Sequence, residues 1–155
     1  MNGGIGLDRL SLNQATVKRL GLRDAVELCV RHEIPAIGLW RDRVAETGLA
    51  AAAAAVRAAG LRVSSLCRGG FFTMADSDGR RAALADNLAA LEEAAELGTG
   101  TLVLVCGGLP PGHRDLGLAR RMIEDAIGAL VPAALRAGCG SASRRCTRCS
   151  APTGA

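Results

Sequence analysis

Asn13, Trp40, Arg68, Phe72, Gly107 and Gly108 each stand at, or a few residues beyond, the end of an apolar run. Together these types suit a small, hydroxyl-rich, negatively charged molecule. A carboxamide exchanges hydrogen bonds with hydroxyls, and aromatic faces cover the C–H face of a sugar. A guanidinium forks onto phosphate or carboxylate, and paired glycines let backbone N–H groups approach a phosphate. Each residue also has a plainer reading. Asn13 can cap a turn, Trp40 can pack under a loop, and Arg68 can be a solvated loop arginine. Phe72, with Phe71, can close the core, and Gly107-Gly108 can simply permit a tight bend. His113 as a general base competes with a surface histidine beside Arg114 and Asp115, while Asp42 and Asp76 read as solvated caps.

The elements that must position these residues follow from the apolar periodicity. Strands are expected over 10–16, 34–40, 61–67 and 101–106, the last a continuous apolar run of the kind buried on both faces. Helices are expected over 22–32, 46–59, 76–97 and from about 113–115 to 137, with Gly60, Gly98 and Gly138 as stops. The order β-α-β-α-β-α-β-α implies parallel strands joined by right-handed crossovers. Two architectures fit: an open doubly wound sheet, or four βα units forming half of a (β/α)8 TIM barrel. The first strand lacks the glycine-rich turn of a nucleotide-binding sheet, since no glycine follows it until Gly21. Polar or special residues instead close every strand, as barrel enzymes arrange them.

Bulk properties narrow the function classes. The hydrophobic fraction of 49% supports a core, but aromatics are 2%, so that core must be aliphatic. The net charge of +4 includes Arg144, Arg145 and Arg148 near the end of the chain, so the body is close to neutral and carries no nucleic-acid footprint. The N-terminus lacks the pattern of a signal peptide, and no apolar stretch reaches the about 18 residues of a membrane span. A cytoplasmic protein with reduced thiols is expected, with Cys29, Cys67 and Cys106 as small hydrophobes.

The segments Leu10-Ser-Leu-Asn-Gln-Ala-Thr16, Ile37-Gly-Leu-Trp40, Ser65-Leu-Cys-Arg-Gly-Gly70 and Leu102-Val-Leu-Val-Cys-Gly-Gly108 resemble, in order and spacing, the sugar phosphate isomerase/epimerase proteins of the xylose-isomerase-like TIM barrel group. The resemblance covers about residues 8 to 138. It implies a parent enzyme acting on a sugar or sugar phosphate. In that parent a divalent metal (Mn, Mg, Zn or Co), held mainly by second-half ligands, polarises the substrate oxygens while an acid–base group moves a proton between adjacent carbons. No metal-ligand position carries over to this chain, so no cofactor and little activity are expected of it alone. Gly38-Leu-Trp40 stands where the family commonly carries a glutamate.

After Gly138 the apolar period stops. Residues 1–138 therefore read as a partial barrel and 139–155 as an irregular, disordered tail. Cys139, Cys146 and Cys149 include a CxxC pair, but a closed zinc site needs four ligands. Shifting the frame back one base lets the tail decode as VRLGVEALHPMFCADRG, which resembles the family's fifth strand. A base lost or gained near codon 138 is the expectation, and resequencing from codon 136 checks it. Other readings are a non-catalytic binding or assembly module, a relative of the apurinic-site endonucleases, and a flavodoxin-like domain. An open barrel edge implies self-association as the partner-forming feature, with no membrane or nucleic acid involved.

Overall fold

The computed structural model describes residues 7–110 and 112–138. The readings of the tail, including its disorder and the shifted frame, fall outside the described residues. The elements run β1 (Leu12–Asn13), α1 (Leu22–Arg31), β2 (Ala36–Trp40), α2 (Arg41–Thr47), α3 (Leu49–Ala58), β3 (Arg62–Gly70), α4 (Ser77–Glu96), β4 (Leu102–Val105) and α5 (Leu116–Arg136). All strand pairs are parallel, and the sheet order is β1-β2-β3-β4. This sequential order decides between the two architectures. A doubly wound sheet reverses its strand order at a switch point, whereas a barrel adds each strand beside the last. The chain forms a four-stranded arc of a TIM barrel.

Three elements differ from the sequence reading by more than two residues at a boundary. The first strand is only Leu12–Asn13, because Gln14 already enters a 3-10 turn over Gln14–Val17 that Asn13 caps. The helix expected over 46–59 is two helices, α2 and α3, separated by Gly48 with φ +85°. That left-handed geometry ends one helix and starts the next, and it suits glycine. The third strand continues to Gly70, beyond the expected 67, and its pairing with β4 slips between Cys67 and Gly69.

The core lies between the sheet and the helices. Ile37, Leu39 and Leu66 are fully buried there, against Ala52, Ala53, Ala90 and Ala94. Alanine on the helix faces lets α3 and α4 approach the sheet closely, which compensates for the scarcity of aromatics. The opposite, concave face is small and polar. The Ser11 and Ser64 hydroxyls bond across it at 2.6 Å, and a Cβ on Gly38 would meet Ser65 Oγ at 3.2 Å. Leu10 and Val105, at the two edges, are 46% and 42% exposed. Asp76 and Asp115 cap α4 and α5 by accepting from the N–H groups of Gly79 and Gly117, so Asp76 is the cap its sequence position suggested.

Candidate active site at the strand ends

The ends of β1, β2 and β3 converge. The Trp40 indole Nε1–H donates to Asn13 Oδ1 at 2.9 Å, and the same oxygen accepts from the Ala15 N–H at 3.0 Å. Asn13 therefore caps its turn and also fixes the indole. Gln14 Oε1 accepts from the Trp40 backbone N–H at 3.1 Å. Gln14 is 1% exposed, and its Nε2 has no hydrogen-bond partner among the described residues.

Arg68 crosses the next strand end. Its guanidinium carbon lies 6.0 Å from the Trp40 ring centre and 5.1 Å from that of Phe71. A planar, weakly hydrated cation gains from both ring faces without losing access to water. Among the described residues no carboxylate stands at ion-pair distance from it. Trp40, Asp42, Cys67, Arg68, Phe71 and Asp86 line a hollow of roughly 290 Å³. Burial pushes the Cys67 thiol above its ordinary pKa; the Arg68 cation opposes that shift and the Asp42 carboxylate adds to it. The thiol is held neutral, which does not favour a nucleophile.

Two structures brace this mouth. Arg41 donates through Nε and one terminal nitrogen to both Glu93 oxygens at 2.8 Å, and through the other to Asp86 at 2.9 Å. The Glu93 hydrogen bond is the main cause of a guanidinium pKa raised above its usual value. This ties the start of α2 to α4. The second brace is Asn87, fully buried on α4. Its Oδ1 accepts from the Gly70 N–H at 2.6 Å, and its Nδ2 donates to the carbonyls of Gly70 and Ala83 at 2.9 and 2.7 Å. The carboxamide acts as a substitute peptide at the end of β3. Only glycine fits there: a Cβ on Gly69 would run into Asn87, and one on Gly70 (φ +110°) into the Val105 carbonyl.

The sequence candidates separate in space. Asn13, Trp40 and Arg68 come together. Phe72 does not join them: it is 2% exposed, sits in the core and backs a different cavity, while Phe71 faces the mouth. Gly107 adopts φ +96° against Thr73, and Gly108 has open space around it, so neither lines the hollow. His113 borders a largely apolar cavity of roughly 710 Å³ between α4 and α5, away from Trp40. Sequence reasoning missed Asn87, and it took Gln14 and Arg41 only as polar residues closing their strands, with no role of their own. A polar residue at a core-facing helical position is the only signal that could have flagged Asn87.

The fold is that of a known group. The model for the xylose isomerase-like TIM barrel matches residues 15–139. The chain belongs to that family. Among solved structures it is similar to protein SMc04130 from Sinorhizobium meliloti 1021, with 48% identity and a TM-score of 0.83 over 86% of this chain and 49% of that one. The IOLI protein with a bound zinc atom is similar at 19% identity and TM-score 0.71, over 83% of this chain and 48% of that one. D-psicose 3-epimerase, solved in the presence of D-fructose, is similar at 13% identity and TM-score 0.68, over 83% and 49%. The chain spans about half the length of each, and the last two likenesses show the fold alone. No curated protein matches the chain. No helix among the described residues is long and apolar enough to cross a membrane.

Proposed function

We propose that this chain is the N-terminal half of a sugar or sugar-phosphate isomerase or epimerase barrel, and that its own contribution is to hold the substrate. The carrying observation is Arg68, a cation without a carboxylate partner among the described residues, seated over Trp40 and Phe71 where the strands end. Barrel enzymes bind substrate at that end. The arginine receives a phosphate or carboxylate, and the Trp40 ring, fixed by Asn13, lies under the carbon skeleton. Asp42 accepts a hydroxyl.

A divalent metal is the expectation for the whole barrel. The described residues do not supply a site for one: no three His, Cys, Asp or Glu side chains among them come together as ligands. No step is therefore routed through a metal here, and the proton transfer of an isomerase is left to groups outside these residues.

A second reading is favoured by the edges of β1 and β4, which pair with no further strand among the described residues. Exposed Leu10 and Val105 suit pairing with another half-barrel, including a second copy of the chain. Light scattering over a concentration series tests it, and a strictly monomeric, compact species counts against it.

Isothermal titration with fructose 6-phosphate tests the binding reading. The wild-type chain takes it up, and Arg68→Met loses about tenfold or more in affinity, the scale of one charge-assisted bidentate contact. Equal affinity for fructose and its phosphate, or an unchanged Arg68→Met, overturns the assignment.

A further inference from the structure

The Arg68 hollow has a neighbour across Trp40. Gln14, Ala15, Lys18, Trp40, Asp42 and Arg43 line a second hollow of roughly 280 Å³. We propose that it is a second oxyanion subsite, so that the ligand of this mouth is a sugar carrying an anionic oxygen group at each end. The inference rests on the Arg68 reading and extends it.

Gln14 carries the argument. It is 1% exposed, and its Oε1 is committed to the Trp40 N–H. That bond fixes which end of the amide faces which way, so Nε2 cannot exchange places with the oxygen to find a partner. The result is a buried N–H donor, in a side chain that borders the hollow, with no acceptor among the described residues. Buried donors in folded proteins are nearly always paired, and an exception at a hollow marks a place for an acceptor from outside.

The cation comes from Lys18, the only lysine in the chain. Its backbone carbonyl accepts from Arg43, but its ammonium forms no ion pair among the described residues. Arg43 is otherwise held by Glu46 at 2.8 Å. Lys18 is thus the charge available to the second hollow, as Arg68 is to the first. An ammonium on a flexible stem and a fixed carboxamide N–H suit one oxyanion between them.

Both hollows are lined by Trp40 and Asp42. A single ligand therefore crosses from Arg68 to Lys18 over the indole. The Asp42 carboxylate repels an anion and accepts hydroxyls, which places the polyol in the middle and the oxyanions at the two ends. Phosphate and carboxylate share this chemistry, and the probes separate them.

Isothermal titration of the full chain with three ligands reads the second subsite: fructose 6-phosphate, fructose 1,6-bisphosphate and 6-phosphogluconate. The bisphosphate is expected to bind about tenfold tighter than the monophosphate, the scale of one added charge-assisted contact. A matching gain for 6-phosphogluconate shows that a carboxylate serves as well; gain for the bisphosphate alone restricts the second oxyanion to phosphate. Lys18→Met, an exposed change with little risk to folding, removes the gain and leaves the monophosphate affinity unchanged. Gln14→Leu also removes the gain if it folds, which circular dichroism checks; since Gln14 holds the Trp40 N–H as well, Lys18→Met is the variant that reads the unchanged monophosphate affinity. Monophosphate binding without any gain for either second anion overturns the second subsite and leaves the Arg68 reading in place. Lys18→Met with the gain intact also overturns it, and failure of all three ligands to bind overturns both.

Discussion

Two buried carboxamides, Gln14 after β1 and Asn87 on α4 at the end of β3, have opposite fates. Asn87 spends every polar atom on the backbone: one N–H and two carbonyls, at 2.6 to 2.9 Å. Gln14 spends its oxygen on Trp40 and leaves its Nε2 without a partner among the described residues. Both side chains are 1% exposed or less. The difference is one of role. A satisfied amide clamps a strand end whose geometry must not change. An amide with a spare donor beside a hollow keeps a contact for something outside the protein.

The largest effect is expected at the clamp. Asn87→Leu deletes three hydrogen bonds and strands the polar atoms of Gly70 in the core. A loss of about 3 kcal/mol or more is expected in urea unfolding, with the midpoint falling and the slope unchanged. A loss below about 1 kcal/mol would mean that the β3 end holds its shape without the carboxamide.

Arg41→Met comes next. It keeps the aliphatic packing and removes the bonds to Glu93 and Asp86. Arg41 and Glu93 side chains are 19% and 24% exposed, so about 1–2 kcal/mol should be lost, less than for the fully buried amide. High salt should reduce the difference only partly.

Gln14→Leu sharpens the contrast from the other side. It removes an unpaired donor while taking an acceptor from Trp40, two opposing terms of similar size. Unfolding stability should change by less than about 1 kcal/mol. A loss as large as that of Asn87→Leu would show that Gln14 is a clamp too.

The smallest effect concerns the thiol between these ends. Burial holds the Cys67 pKa above its ordinary value, so the neutral form persists to higher pH than in an exposed thiol. Alkylation of Cys67, followed by peptide mass mapping, should accelerate only as the solution passes above the normal thiol range. A profile displaced to lower pH would mean that Arg68 outweighs burial there.

Much of the fold was legible because strand and helix patterns are local. Leu102–Val105 is an uninterrupted apolar run, and Asp76 and Asp115 mark helix starts by type alone. Strand lengths were less legible. Asn13 and Gln14 look like a strand continuing, yet the Asn13 side chain turns the chain into a 3-10 turn. Gly48 splits a stretch whose alanine content reads as one helix. The site was legible in part for the same reason. Trp40 and Arg68 announce themselves by position at strand ends. The register slip between Cys67 and Gly69 changes which of the following side chains face inward, so Phe72 and not Phe71 enters the core. Nothing in the order of residues shows that slip. Asn87 and Gln14 were hidden because polar residues in helical or turn-like sequence usually face water, and only long-range packing buries them.

The central claim is that Arg68 and Trp40 form one oxyanion-binding mouth, and the chain carries its own probe. Trp40 is the only tryptophan, so a ¹⁵N–¹H spectrum holds a single indole cross-peak, from the N–H that donates to Asn13. Titrating fructose 6-phosphate should move that peak to saturation in the wild-type chain and leave it nearly fixed in Arg68→Met. An indole peak that stays still in the wild type, or moves equally in both proteins, would contradict the account.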